Sequence, residues 1–162
     1  MIPFWTAVTD LLANKTIRNA ESKIGSLGEV AFEVSGPDKI FTVSNLSRNI
    51  SAKYAEHEVI GTKPLLELTG AALQTISFDI QISSDWGHNP ADEIEKLIKY
   101  CESGAVLTFI LGNGPIGENK WVIESISENA EWFDGVGNIT YAKASISLKE
   151  YIEKEMDIDE NS

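Results

Sequence analysis

The chain has 162 residues, 43% of them apolar, a net charge of −12 and a single cysteine. That length suits one domain with an appended arm and is enough for a real core. The acidic balance disfavours docking on phosphate backbones and on anionic membranes, and one cysteine excludes an internal disulfide and a cysteine-based zinc site.

No apolar run approaches the ~20 residues that a membrane-spanning helix needs. The N-terminus lacks a basic start, an apolar block and a small-residue cleavage site, so no signal peptide is expected. Phe4, Trp5, Val8, Leu11 and Leu12 recur at helical spacing, with Thr6 as a candidate N-cap. Ile17 and Ile24 extend that face, and Gly25 and Gly28 end it. Residues 1–24 are therefore expected to form an amphipathic helical arm.

Residues 29–34, EVAFEV, alternate as a short strand, and Ser35-Gly36-Pro37-Asp38 is a turn. Residues 40–43 and 65–68 are further strand candidates, and the alternation of Ile50, Ala52 and Tyr54 places part of a strand between them. Tyr54, Glu56, His57 and Glu58 crowd into one short stretch before the Lys63-Pro64 break. The clearest strand follows at 76–83. Ile76, Phe78, Ile80 and Ile82 point one way, and Ser77, Asp79, Gln81 and Ser83 the other.

Asp85-Trp86-Gly87-His88 leads into a helix. Asn89 is suited to the N-cap, Pro90 to the first turn and Gly104 to the C-terminal cap. Ile94, Leu97, Ile98 and Cys101 form its apolar stripe, with Cys101 as a buried spectator. Residues 105–111 read as a buried strand and 112–117 as a glycine-rich loop. Residues 120–127 form a strand carrying Trp121. A hairpin loop at 134–138 joins 130–133 to a last strand, 138–148. Tyr151 and Ile152 are expected to anchor the chain end, and 153–162 is an acidic tail.

This order predicts an α+β domain over residues 25–152. It is mainly antiparallel sheet, as a split barrel or a sandwich, with one packed helix near 90–103 and the N-terminal helical arm.

The search for chemistry returns little. His57 has glutamates on both sides, but neighbouring residues on a strand point to opposite faces and do not converge. His88 and Asp85 could complete a site with His57 only through a fold that the spacing does not indicate. Residues 112–117 lack the Gly-Lys-Ser/Thr ending and the following helix of a phosphate loop. No cofactor and no metal are expected. One alternative remains, a small hydrolase or ligand-binding domain using His57, Glu56 and Asp85.

The segments FEVSGP (32–37), KYAEHEVIGTKPLLELTG (53–70), LQTISFDIQI (73–82), LTFILGNGPIG (107–117), WVIESISE (121–128) and SLKEY (147–151) resemble the GpU family of phage tail proteins. The resemblance runs from about Gly28 to Tyr151 and leaves out the N-terminal arm. It implies a non-enzymatic structural component of a contractile phage tail or phage-tail-like particle, near the tube/baseplate junction. Implied partners are other tail proteins: tube, hub or spike, sheath or baseplate subunits. It also implies a homo-oligomer, with a hexamer as one form, and no specific nucleic-acid or membrane binding. The place implied is the virion tail, assembled in the bacterial host cytoplasm. A tube subunit forming stacked hexameric rings is the alternative within the same machine. Subunit-contact candidates are Tyr54, Glu56, His57 and Lys63, with Trp5, Trp86 and Trp132 as aromatic anchors.

Overall fold

A computed structural model describes residues 23–33, 41–86 and 89–154, apart from the side chain of Trp86. Most of the expected N-terminal arm and the tail from residue 155 lie outside that description. Among the described residues, ten strands and one α-helix follow in order, with a short 3-10 turn at Ser84–Trp86: β1 (Lys23–Leu27), β2 (Val30–Glu33), β3 (Phe41–Asn49), β4 (Ala52–His57), β5 (Leu65–Ala71), β6 (Thr75–Ser83), α1 (Pro90–Ser103), β7 (Phe109–Leu111), β8 (Gly114–Pro115), β9 (Lys120–Phe133) and β10 (Ile139–Tyr151). Eight strands form one antiparallel sheet in the order β8-β7-β1-β2-β3-β6-β10-β9, and β4 and β5 form a separate two-stranded ribbon.

The sheet is organised on β6, which pairs with β3 on one side and β10 on the other. Its expected alternation holds: Ile76, Phe78, Ile80 and Ile82 are all buried. Opposite them on β10 stand Leu148, Ile146, Ala144 and Ala142, so small alanines face two of the bulky isoleucines. Cross-strand pairs of this kind are the unit of sheet stabilisation. The other face is polar. Asp79 accepts hydrogen bonds from the Ser145 hydroxyl (2.6 Å) and the Asn45 amide (2.8 Å). Those two donors hold its carboxyl below the usual range.

The sheet curls strongly. In a flat sheet, four strand spacings would put β6 about 19 Å from β7. The Phe78 and Phe109 rings instead stack with centroids 5.0 Å apart, and Phe32 meets both edge-on. A bulge in β3 between Ser44 and Ser47, with Asn45 at φ 53°, supplies part of the bend. The curl does not close a barrel. A single backbone bridge between Leu107 and Trp121, with bonds of 2.7 and 2.8 Å, ties the chain before β7 to β9. Trp121 is fully buried there, and its indole N–H donates to the Ile116 carbonyl.

Helix α1 starts and stops as its sequence dictates. The Asn89 side chain accepts from the Ala91 N–H, Pro90 opens the first turn, and Gly104 ends it in the left-handed region at φ 64°. Ile94 and Leu97 are buried against β9 and β10, while Cys101 is half-buried at the edge of that contact.

Several expectations need correction. Lys23 and Ile24 belong to β1, not to an arm helix; β1 packs tightly on β7, and a side chain at Gly25 would collide with the Ile110 carbonyl. The strand read over 105–111 is ordered as β-structure only from Phe109, because Leu107 is diverted into the bridge with Trp121. β9 does not pause after Ser127 but runs on to Phe133 along β10. Tyr151 and Ile152 do not anchor the chain end, since both are exposed; the buried residue there is Glu150.

Candidate functional site

The ribbon is the part of the molecule that its own core does not explain. The β3–β6 ladder reaches Asn49↔Thr75, breaks, and resumes at Ala52↔Ala71, so β4 and β5 extend the central hairpin beyond the sheet. A bond from the Ala72 N–H to the Ser51 carbonyl (2.9 Å) bridges the break. The ribbon then packs chiefly on itself. Tyr54 stands opposite Leu68 and Glu56 opposite Leu66 on one face; Ala55 stands opposite Glu67 and His57 opposite Leu65 on the other. Tyr54, Leu66 and Leu68 are 55 to 61% exposed, and Ile60 at the tip is fully exposed.

An isolated two-stranded ribbon is marginal in water. Each of these apolar side chains would contribute on the order of 1.5–3 kcal/mol if a partner buried it fully. The ribbon therefore leaves apolar surface exposed that its own pairing does not bury.

Its root is fixed by a polar clamp. Glu150, at the end of β10, accepts from the Asn119 amide (2.8 Å) and from the Gln74 backbone N–H (3.0 Å). The Gln74 side chain in turn accepts from Arg48 Nε at 2.8 Å. The Asn119 bond, the Gln74 N–H and then the Arg48 charge outweigh desolvation and hold the Glu150 carboxyl below its ordinary range. The segment that launches the ribbon is thus tied to both β3 and β10.

A second exposed apolar patch lies at the tip of the β9–β10 hairpin. Trp132 is 64% exposed, and Phe133 and Val136 beside it are also exposed. The Trp132 ring leans on Tyr141 at 4.9 Å. Asp134 shapes the loop by accepting from the Asn138 side chain and from the Val136 and Asn138 N–H groups, all near 2.9 Å. These bonds, the Asn138 side chain first, hold its carboxyl down.

Of the sequence-derived candidates, the structure places Tyr54 and Glu56 on one face of β4 and His57 on the other, with Lys63 in the loop beyond; all four are exposed. Trp132 stands apart at the hairpin tip. Trp5 and the Trp86 side chain lie outside the described residues, as does His88. His57 pairs with Glu67 at 2.7 Å on the exposed ribbon. Asp85 follows β6 at its far end, so the eight residue steps of β6 alone put about 26 Å between it and the ribbon root. The grouping of His57, Glu56 and Asp85 does not form. Among the described residues, no three His, Cys, Asp or Glu side chains gather as a metal-binding group. Sequence reasoning missed Leu65, Leu66, Leu68 and Ile60; the adjacent leucines before Glu67 were the available signal.

The described residues form a curled antiparallel sheet with a projecting ribbon that exposes apolar side chains. The family model described as Phage P2 GpU matches residues 28–153. The chain belongs to that family and is a phage tail protein. A comparison with curated proteins finds no match. Among solved structures it is similar to a chain in the tail of an empty gene transfer agent particle with C6 symmetry, at 14% identity and a TM-score of 0.43, covering 83% of this chain and 93% of that one. It is also similar to a chain of the native gene transfer agent virion, at 13% identity and a TM-score of 0.44, covering 83% and 95%.

Proposed function

We propose that this chain is a structural, non-enzymatic subunit of a contractile phage tail or phage-tail-like particle, placed at the tube/baseplate junction. It acts in tail assembly through protein–protein contacts, with the β4–β5 ribbon as the principal contact. The family match over 28–153 supports the tail assignment, and the uncovered ribbon supports the mode of action. Its partners are other tail proteins and further copies of itself, in a ring whose hexameric form is part of the proposal. Assembly takes place in the host cytoplasm. Tyr54, Glu56, His57 and Lys63 contribute through packing and charge, not catalysis.

The test is to tag the full chain in a producing strain, purify the particles and locate the tag by electron microscopy. Label at the tube/baseplate end is expected. Label along the whole tube would replace the junction with a tube-subunit role. A chain that never enters particles would refute the tail role itself.

A further inference from the structure

A groove of about 590 Å³ opens between the start of β1, the turn after β7 and the bulge of β3. Ile24 and Val43 line it and pack against the core, so the groove is continuous with the core. Leu46 and Leu111 add apolar wall, and Leu46 is 39% exposed. The bulge puts Leu46 there. Between the pairs Ser44↔Asp79 and Ser47↔Ser77, both Asn45 and Leu46 stand against Phe78 alone. Extra residues of this kind re-aim side chains. The lining holds one lysine, Lys23, and no carboxylate.

Lys23 is also where the described chain begins, so residues 1–22 join the body at the wall of the groove. That segment carries Phe4, Trp5, Val8, Leu11, Leu12 and Ile17. Its side-chain charges cancel, with Lys15 and Arg18 against Asp10 and Glu21, so the whole −12 falls on the rest of the chain. A neutral, apolar segment meets an acid-free groove without the repulsion that the rest of this chain would impose. At ~3.3 Å per extended residue, Ile17 reaches up to about 20 Å from Lys23 and Leu12 up to about 36 Å. Tethered there, the segment faces the groove at an effective concentration on the order of mM, which a second copy does not share.

We propose that residues 11–22 lie in this groove of the same copy, with Leu11, Leu12 and Ile17 against Ile24, Val43, Leu46 and Leu111. The segment then covers the core on a side that the open curl leaves bare. That role does not depend on the tail assignment.

Lys15 and Arg18 supply the test, since trypsin cleaves after both. The purified full chain is treated briefly with trypsin, and loss of residues 1–15 or 1–18 is followed by intact mass. Cleavage of a docked segment tracks the fraction that is undocked. Leu46→Asp, at a partly exposed position, puts a charge in the groove and is expected to speed this cleavage about tenfold or more. Leu66→Asp, on the ribbon, is expected to leave the rate unchanged, and the rate is expected not to vary with chain concentration. Equal rates for the unaltered chain and Leu46→Asp overturn the proposal. Acceleration by Leu66→Asp as large as that by Leu46→Asp also overturns it, because the segment then covers the ribbon. Protection that fades on dilution overturns it as well, because a second copy then supplies the segment. If Leu46→Asp does not fold, Leu11→Ser with Leu12→Ser acts from the side of the segment and leaves the groove intact. The same acceleration is expected from that variant, and an unchanged rate counts against the contact.

Discussion

Two buried residues carry more than packing. Trp121 fills the core beneath the Leu107 bridge and donates its indole N–H to Ile116. Trp121→Ala removes the indole volume and its bond to Ile116 while leaving the backbone bridge to Leu107, and is expected to cost about 3–5 kcal/mol in urea titrations. Glu150 carries the acid sensitivity of the ribbon root. Its folded carboxyl is held below its unfolded value, chiefly by Asn119. Its contribution is therefore fully present above the ordinary carboxylate range and is lost as pH falls through the lowered folded value. Glu150→Gln is expected to flatten the fall in stability between about pH 5 and pH 2, measured as the denaturation midpoint at each pH. A variant with the unchanged acid profile would show that other carboxylates dominate. Trp121 was legible in the sequence as a strand residue. Glu150 was not, because an acid next to an acidic tail looks solvated until β10 carries it onto the core face.

Elements differed in legibility for physical reasons. α1 was readable because its caps and stripe are local: Asn89, Pro90, Ile94, Leu97 and Gly104 all lie within sixteen residues. β6 was readable because one face is buried and the other wet. β1 was not, because a five-residue strand with an internal glycine is held by pairing with β2 and β7, which no local pattern records. The ribbon was half-readable. Its polar crowd at Tyr54–His57 stood out, but the leucines of β5 read only as a strand candidate, with nothing local to say that they would be exposed. The absence of a packed face has a dynamic consequence. In hydrogen exchange on dilute monomer, the amides of 52–57 and 65–71 are expected to exchange far faster than those of β6 and β10. Protection of the ribbon equal to that of β6 in the monomer would mean that the chain covers it itself.

At the scale of the whole molecule, the sequence carried the class and the family resemblance, but not the curl. Strand order depends on pairings such as Gly25↔Leu111, which join residues far apart in the chain. Patterns of hydrophobicity cannot report which distant strands meet.

The placement of β10 sets when this protein can fold. β10 is the last of the described strands in chain order, yet it lies inside the sheet, between β6 and β9. Until residues 142–148 leave the ribosome, β6 lacks a neighbour and the core lacks Ala142, Ala144, Ile146 and Leu148. Completion therefore waits on residues 142–148, and slow, non-local pairing governs its rate. A chain ending at Gly137 is expected to be cleaved throughout by protease under conditions where the full chain resists. A truncated product has no finished sheet from which to extend its ribbon, so under the proposed assembly role it lacks the contact that would place it.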